Sequence, residues 1–226
     1  MPTQVSMKIV KYIKNSLIDF PAKIATVLFT NGCNWDCWYC QNKKILTDTR
    51  DLADEFFEYL ESRRGWIDGV VICGGEPTIH TEIPELCQKI KDLGFSVKLD
   101  TNGTNPEMIK SLIEQKLVDY VAMDVKAPIR KLSKMVGSNN SIDKIMQSIS
   151  VLILSQIDYE FRTTVCPDLT IEDIGEMAEM IRGAKRYYLQ QYHKPNIRDN
   201  EAEPLKIELL QEMCNLANNI VPTQIR

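Results

Sequence analysis

The sequence has no long apolar run and no excess of basic residues. No apolar stretch comes near the length that a membrane-spanning helix needs. Near the start, Asp19, Pro21 and Lys23 interrupt any apolar segment that could act as a secretory signal. The 31 acidic residues outnumber the 27 basic ones, and the formal net charge of -4 argues against a protein that coats nucleic acid. We therefore expect neither a membrane nor a nucleic acid as a partner.

The cysteines lack the even number and the spacing of a disulfide framework. There are seven of them among 226 residues, so we expect reduced thiols and a cytoplasmic protein. Four stand singly, and of these Cys73, Cys87 and Cys166 are expected to be buried core thiols, whereas Cys214 lies in the tail. With 44% hydrophobic and 26% charged residues, the chain has the composition of a globular domain with a substantial core.

Strand-like and helix-like segments alternate along the chain. The predicted strands are 23–30, 67–77, 95–103, 118–128, 158–167 and 184–193. The predicted helices are 50–64, 82–94, 105–117, 141–154, 169–183 and a tail helix at about 204–219. This alternation predicts right-handed βαβ units, a parallel sheet and an α/β fold. No linker or repeat divides the chain, so we expect one domain over residues 1–226.

Unusual residue clusters follow five of the six predicted strands. In parallel α/β folds the chemistry gathers in the loops after the carboxyl ends of the strands. We therefore expect these loops to converge on one site. They read "NGCNWDCWYCQN" (31–42), "GGEP" (74–77), "DTNG" (100–103), "DVK" (124–126) and "QYH" (191–193).

The first of these loops holds Cys33, Cys37 and Cys40 at the spacing C-x3-C-x2-C, with no fourth cysteine and no histidine nearby. A structural zinc site is closed by four ligands, usually from paired C-x2-C motifs. A [4Fe–4S] cluster is normally held by four thiolates, so with three of them one iron keeps an open coordination position. An open iron beside a pocket indicates ligation of a substrate or cofactor rather than electron storage.

These motifs resemble a known superfamily. A C-x3-C-x2-C loop at the end of the first strand, with an aromatic residue before its last cysteine, followed by "GGEP", is the signature of the radical S-adenosylmethionine (SAM) enzymes. "SLIDFPAKIATVLFTNGCNWDCWYCQN" together with "DTNG", "MDVK", "RTTV" and "QYHK" is similar to the activating enzymes of glycyl-radical proteins. The likeness extends over roughly residues 16–195. Within that group the chain looks most like the activating proteins of anaerobic ribonucleoside-triphosphate reductase, which are related to pyruvate formate-lyase activating enzyme. The resemblance implies a partial, open (β/α)6 barrel.

The resemblance also implies a reaction. The three cysteines would hold a [4Fe–4S] cluster, and the amino and carboxylate groups of SAM would chelate the open iron. One electron, from a flavodoxin or ferredoxin, would cleave SAM to methionine and a 5′-deoxyadenosyl radical. That radical would abstract hydrogen from a glycine of a partner protein, for which the anaerobic ribonucleotide reductase is our first candidate.

Several residues of the first two loops receive roles from the resemblance. Tyr39 would lie against the adenine, and Gln41 stands where the family often has a histidine. Gly74 and Gly75 can let the backbone approach a ligand, and Glu76 can accept hydrogen bonds from an ammonium group. For Tyr39 the alternative is a loop residue that caps the core.

The later loops bring opposite charges to neighbouring strand ends. Asp100 and Asn102 belong to one loop and Asp124 and Lys126 to the next. A carboxylate there suits an ammonium group or a bound monovalent cation, and Lys126 suits a carboxylate. The alternative is a structural salt bridge between strand ends. His193 matches a family histidine near the ribose, with a solvated strand-end histidine as the alternative.

Two further function classes stay open. One is a radical SAM enzyme that acts on a small molecule or on RNA, although no RNA-binding module or basic stripe is present. The other is a non-catalytic iron–sulfur or zinc protein, which would leave the later loops without a purpose. Residues 41–72 lack the cysteine array of the ferredoxin-like insertion that some glycyl-radical activators carry, so we expect a minimal type with one cluster.

The cysteine spacing generates a first prediction. After anaerobic reconstitution with iron and sulfide, the protein should be brown and contain about four irons per chain, measured by iron analysis and absorption. Replacing Cys33, Cys37 or Cys40 by alanine should abolish the colour, whereas Cys87→Ala and Cys214→Ala should retain it. Stoichiometric zinc without iron uptake would show that the loop is a zinc site.

Overall fold

The computed structural model describes residues 6–137, 142–194 and 202–226. The strands are β1 (Ile9–Ser16), β2 (Ala25–Thr30), β3 (Gly69–Gly74), β4 (Ser96–Thr101), β5 (Tyr120–Asp124), β6 (Asp158–Val165), β7 (Tyr187–Gln191) and β8 (Thr223–Ile225). The helices are α1 (Lys43–Leu46), α2 (Ala53–Ser62), α3 (Ile83–Asp92), α4 (Pro106–Glu114), α5 (Ile129–Val136), α6 (Ile142–Leu154), α7 (Ile171–Met180) and α8 (Ile207–Asn218). Among the described helices, none has both the length and the apolar character that crossing a membrane requires.

The predicted α/β class is confirmed. All six predicted strands and six predicted helices are present with shorter bounds, and the first residue of the helix expected at 141–154 lies outside the described residues. The strands follow one another in the sheet in chain order, from β1 to β8. The strands β1 and β8 are edge strands, so the sheet is not closed. Sequence reasoning missed the strands β1 and β8 and the helices α1 and α5.

The described residues group into two compact units. The first comprises residues up to 34, 42–101 and 105–121, and the second comprises 35–41, 102–104 and the chain from 122 onward. In the cysteine loop, Cys33 therefore belongs to the first unit, and Cys37 and Cys40 belong to the second.

In the first unit β1 runs antiparallel to β2, and β2, β3 and β4 are parallel. The register pairs Thr30 at the end of β2 with Gly74 at the end of β3. The carboxyl ends of these two strands, and the loops that follow them, therefore lie side by side. Tyr12 of β1 packs edge-on against Phe56 of α2, with ring centroids 5.7 Å apart.

In the second unit β6, β7 and β8 are parallel neighbours. Successive side chains point to opposite faces of a strand, and here the two faces differ in polarity. Tyr159 and Phe161 of β6 and Tyr187 and Leu189 of β7 are fully buried. The alternate positions are mostly polar, so β6 and β7 have one mainly apolar face, which also carries Thr163 and Gln191, and one mainly polar face.

Helix α7 begins with a capping box. The Thr170 hydroxyl accepts from the backbone N–H of Asp173, whose carboxylate accepts in turn from the backbone N–H of Thr170. The buried Asp173 carboxylate also pairs with Arg130 and Lys131 of α5, the latter at 2.6 Å. The start of α7 is thus tied to α5 through one carboxylate.

We expect Thr170→Ala to lower the free energy of unfolding by about 1 kcal/mol, because it leaves a helix N–H without its acceptor. Chemical denaturation of the protein measures this change. Thr170→Ser keeps the acceptor oxygen and is the control, with a stability close to that of the parent. Equal stability of the alanine variant and the parent would contradict a contribution from the capping box.

Candidate functional site

In the first unit the glycines of "GGEP" lie against the turn that leads to Cys33. The N–H groups of Gly75 and Glu76 donate to the carbonyl oxygens of Thr30 and Gly32, at 3.1 and 2.9 Å. A Cβ atom on Gly75 would lie 1.5 Å from the carbonyl oxygen of Gly32. Only glycine permits two backbones to come this close. Position 75 is therefore a glycine because it packs against Gly32, the residue before Cys33.

The Glu76 carboxylate is buried at the same strand end. One of its oxygens accepts from the N–H and the hydroxyl of Thr78, at 3.1 and 2.6 Å, and from the hydroxyl of Thr101 at 2.7 Å. Glu76 therefore caps the 3-10 turn Pro77–Ile79 and links it to the end of β4. Sequence reasoning did not anticipate this capping role.

Asp100 lies in a buried ion pair with Lys98, two residues earlier on the same face of β4. The side chain of Lys98 is only 1% exposed. A charge that is taken out of water needs a partner, and here the partner comes from within one strand. Sequence reasoning missed Lys98, although a lysine two positions before an aspartate in an apolar strand indicates such a pair.

In the second unit Asp124 holds two cations. Its carboxylate oxygens lie 3.0 Å from the Lys126 ammonium nitrogen and 3.1 Å from Nε of Arg162. Burial favours the neutral acid, but the charges of Lys126 and Arg162 outweigh it and lower the pKa of Asp124 to about 2. Burial also opposes the charge of Lys126, and Asp124 outweighs this effect and raises the pKa of Lys126. The triad therefore stays ionised at neutral pH.

This triad revises one expectation about charge pairing. The alternative for the "DVK" loop was a structural salt bridge between strand ends. Such a salt bridge is present, and it joins Asp124 to Arg162 of the neighbouring strand β6. Arg162 received no role from the sequence because its partner depends on the strand register. Asn102 has a separate task, since its side-chain oxygen accepts from the N–H and hydroxyl of Thr104, at 3.0 and 2.7 Å.

The segment 35–41, which carries Cys37 and Cys40, is held against the ends of β5 and β7. The Lys126 ammonium lies 5.8 Å from the centre of the Tyr39 ring. The Gln41 side-chain amide donates to the carbonyl oxygen of His193. The Trp38 ring lies 5.9 Å from that of Tyr192. The structure thus brings five predicted site residues of the second unit to one place: Tyr39, Gln41, Asp124, Lys126 and His193.

The two cysteines of this segment differ in burial, since Cys37 is buried and Cys40 is partly exposed. Burial raises the pKa of the Cys37 thiol, and the nearby Lys126 opposes this effect. The backbone N–H of Cys40 donates to the carbonyl oxygen of Cys37 at 3.1 Å. A thiolate at Cys37 therefore needs a further positive charge, which a bound metal supplies.

The donor set and two buried polar atoms test whether an iron–sulfur cluster with a bound ligand suits the site. Soft thiolates select iron–sulfur clusters, and three of them leave one iron open. The hydroxyl of Tyr39 and the indole nitrogen of Trp38 are buried without a hydrogen-bond partner in the described structure. Such groups normally have a partner, so these residues of the cysteine segment suit a polar ligand. Within the described ranges, no three His, Cys, Asp or Glu side chains are arranged as a ready-made metal site.

Outside the loop, the single cysteines differ in burial. Cys87 and Cys166 are buried, as expected for core thiols, and burial raises the pKa of each to about 12. Cys73 of β3 is partly exposed, so its expected burial in the core is corrected.

Comparison with known proteins identifies the superfamily. The sequence profile of the Radical SAM superfamily matches residues 27–181. A protein of Methanocaldococcus jannaschii, provisionally named a glycyl-radical enzyme activating enzyme, is 34% identical over 209 residues, covering 89% of this chain and 86% of its own. A Pyrococcus horikoshii protein, provisionally named a GTP 3′,8-cyclase, is 30% identical over 57% of this chain and 42% of its own. The structure of Streptococcus suis SuiB bound to S-adenosylmethionine superposes with a TM-score of 0.66, at 14% identity, over 86% of this chain and 48% of SuiB.

The ion triad generates a prediction for cofactor binding. Lys126→Met and Asp124→Asn should each raise the dissociation constant for SAM about tenfold or more, because a charged hydrogen bond contributes roughly 1.5–3 kcal/mol. The iron content should stay at the parent's value, since neither residue is a thiolate ligand. Equilibrium dialysis with labelled SAM measures the binding.

Lys134→Met is the matched control, since Lys134 pairs with Asp168 on the surface at 3.3 Å and should leave SAM binding unchanged. SAM binding by both triad variants with the affinity of the parent would remove the "DVK" loop from the cofactor site.

Proposed function

Because the chain belongs to the radical S-adenosylmethionine superfamily, we propose that it is an oxidoreductase that generates a glycyl radical on a partner enzyme. The partner that we propose is the anaerobic ribonucleoside-triphosphate reductase. The observation that carries the proposal is the placement of the cysteine segment 35–41 against the ion triad of Asp124, Lys126 and Arg162. The glycyl radical would be formed in the cytoplasm, with a flavodoxin or ferredoxin as the electron donor.

The proposed cluster site consists of the thiolates of Cys33, Cys37 and Cys40. When bound, a reduced [4Fe–4S] cluster and SAM supply one-electron cleavage of a carbon–sulfur bond and hence a carbon radical. The protein's residues bind and orient the reactants and keep water away from them. Burial of Cys37 and Tyr39 provides a dry environment for this chemistry.

Charged and polar groups are proposed to orient SAM. Lys126 would bind the carboxylate group of SAM, since Asp124 holds the Lys126 ammonium group in place at 3.0 Å. Tyr39 would contact the adenine and His193 the ribose, because Lys126 lies over the Tyr39 ring and Gln41 holds His193 beside the cysteine segment. Gly74, Gly75, Glu76, Asp100 and Asn102 would complete the cofactor site, and the carboxylates are the proposed ligands of a monovalent cation.

Two observations support a protein as the substrate. The relative that is 34% identical over most of this chain bears the name of a glycyl-radical enzyme activating enzyme, whereas proteins provisionally named GTP 3′,8-cyclases are 30% identical over 57% of the chain or 22% identical over 85% of it. The sheet is not closed, whereas a small-molecule enzyme more often covers its substrate with additional secondary-structure elements or a lid. An open sheet suits a glycine in a loop of a larger protein.

The proposal predicts a spectroscopic result. Mixing the reduced enzyme, SAM and the anaerobic ribonucleotide reductase of the same organism should give a glycyl doublet in the electron paramagnetic resonance spectrum. Replacing the acceptor glycine of the reductase by alanine should remove the doublet, because the radical then has no glycine Cα to occupy. The Cys37→Ala enzyme is the control for adventitious radicals and should give no doublet.

Active cleavage of SAM without a doublet on any glycyl-radical protein of that organism would contradict the proposed partner class. It would favour a radical SAM enzyme that acts on a small molecule.

A further inference from the structure

The second unit presents a half-buried polar face on β6 and β7. Arg162 and Thr164 of β6 share this face because they are two residues apart. The register pairs Arg162 with Tyr188 and Thr164 with Gln190 of β7. All four side chains are partly exposed, whereas Phe161, Thr163 and Val165 of β6 and Tyr187 and Leu189 of β7, on the opposite face, are buried. The polar face continues from the triad of Asp124, because Arg162 belongs to both.

The cations of this face are paired with carboxylates. Arg162 and Lys126 both lie against Asp124. The guanidinium group of Arg226 donates to both carboxylate oxygens of the buried Glu160, at 2.8 and 3.2 Å. It also lies 3.8 Å from the centre of the Tyr188 ring. A bidentate, stacked arginine is fixed in direction, so its charge is committed to Glu160.

Thr164 and Gln190 are the uncharged members of the polar face, and they are direct neighbours across the strand pair. Neither side chain makes a hydrogen bond to the residues that the structure describes. Together they offer a hydroxyl group, an amide donor and an amide acceptor. Gln190 lies three residues before His193, at the end of β7 to which the cysteine segment is tied through Gln41. Hydrogen-bonding capacity without net charge is thus present next to the proposed cofactor site.

This arrangement discriminates between two kinds of substrate. A phosphate-bearing molecule requires cations or backbone N–H groups that are available to it, whereas here Arg162 and Arg226 lie against the carboxylates of Asp124 and Glu160, and Lys126 is assigned to the carboxylate of SAM. A peptide backbone is neutral and requires one acceptor for each N–H and one donor for each carbonyl group. Glycine lacks a Cβ atom and can lie flat against such a surface.

We propose that Thr164 and Gln190 bind the backbone amide groups of the loop that carries the acceptor glycine. This inference rests on the proposed function and deepens it, since it names the residues that select a peptide as the substrate. Both residues act on the partner and not on SAM, whose proposed contacts in the second unit are Tyr39, Asn102, Lys126 and His193. Their loss should therefore separate substrate affinity from cofactor affinity.

The test uses the reconstituted enzyme with SAM and a synthetic peptide that reproduces the glycine loop of the anaerobic ribonucleotide reductase. Gln190→Leu and Thr164→Val keep the side-chain size and remove the hydrogen-bonding groups. Each should raise the dissociation constant of the peptide about tenfold in calorimetric titrations, because a peptide group loses its partner on binding. The affinity for SAM should be that of the parent, which also shows that the variants fold.

Two control variants sharpen the test. Gln191→Leu makes the same substitution one residue later, on the opposite face, where the amide donates to the carbonyl oxygen of Leu205 at 3.0 Å. It should leave peptide binding unchanged. Thr164→Ser keeps the hydroxyl group and should bind the peptide as the parent does.

Three outcomes would overturn the inference. Parent-like peptide binding by both Gln190→Leu and Thr164→Val would remove these residues from the substrate site and leave the proposed function intact. Failure of the parent enzyme to bind the peptide and to form any glycyl radical would overturn the proposed function together with the inference. Binding of GTP by the parent that is lost in Gln190→Leu would assign the face to a phosphate-bearing substrate.

Discussion

The ion triad of Asp124, Lys126 and Arg162 is the interaction on which the second unit's part of the site depends. One carboxylate holds two cations from different elements, and the two cations keep that carboxylate ionised in spite of its burial. Lys126 then reaches the ring of Tyr39, between Cys37 and Cys40. The triad thereby links the end of β5, the strand β6 and the cysteine segment. Removing the carboxylate would take away the negative charge that both of these largely buried cations share, so we expect Asp124 to be important for the placement of the cysteine segment.

The close approach of Gly75 to Gly32 has a comparable role in the first unit. It brings the "GGEP" turn against the chain just before Cys33 by contact between two backbones, without a side chain. Glu76 then fixes the same turn through Thr78 and Thr101. Each unit therefore has its own means of placing a part of the cysteine loop, one through backbone packing and the other through charge.

The sequence predicted where the strands end and which residue clusters stand at those ends, because the alternation of strands and helices and the position of each cluster are local properties. It could not predict Arg162 as a partner of Asp124 or Arg226 as the partner of Glu160, since these pairs meet only through strand register and chain packing. The strand β1 was missed because the lysines in "IVKYIKNS" obscure its alternation, and β8 is too short to leave a pattern. Lys98 could have been predicted, since it lies two residues before Asp100 on a strand whose alternation was recognised.

The central claim is that the three-cysteine loop binds a cluster whose open iron takes up SAM. Electron–nuclear double resonance on the reduced protein, with SAM labelled with nitrogen-15 at its amino group, tests it most directly. The account predicts a hyperfine coupling between the labelled nitrogen and the cluster, since the nitrogen would be a direct ligand of the iron that lacks a thiolate. A cluster that shows no coupling to SAM, at concentrations at which dialysis proves it to be bound, would contradict the account.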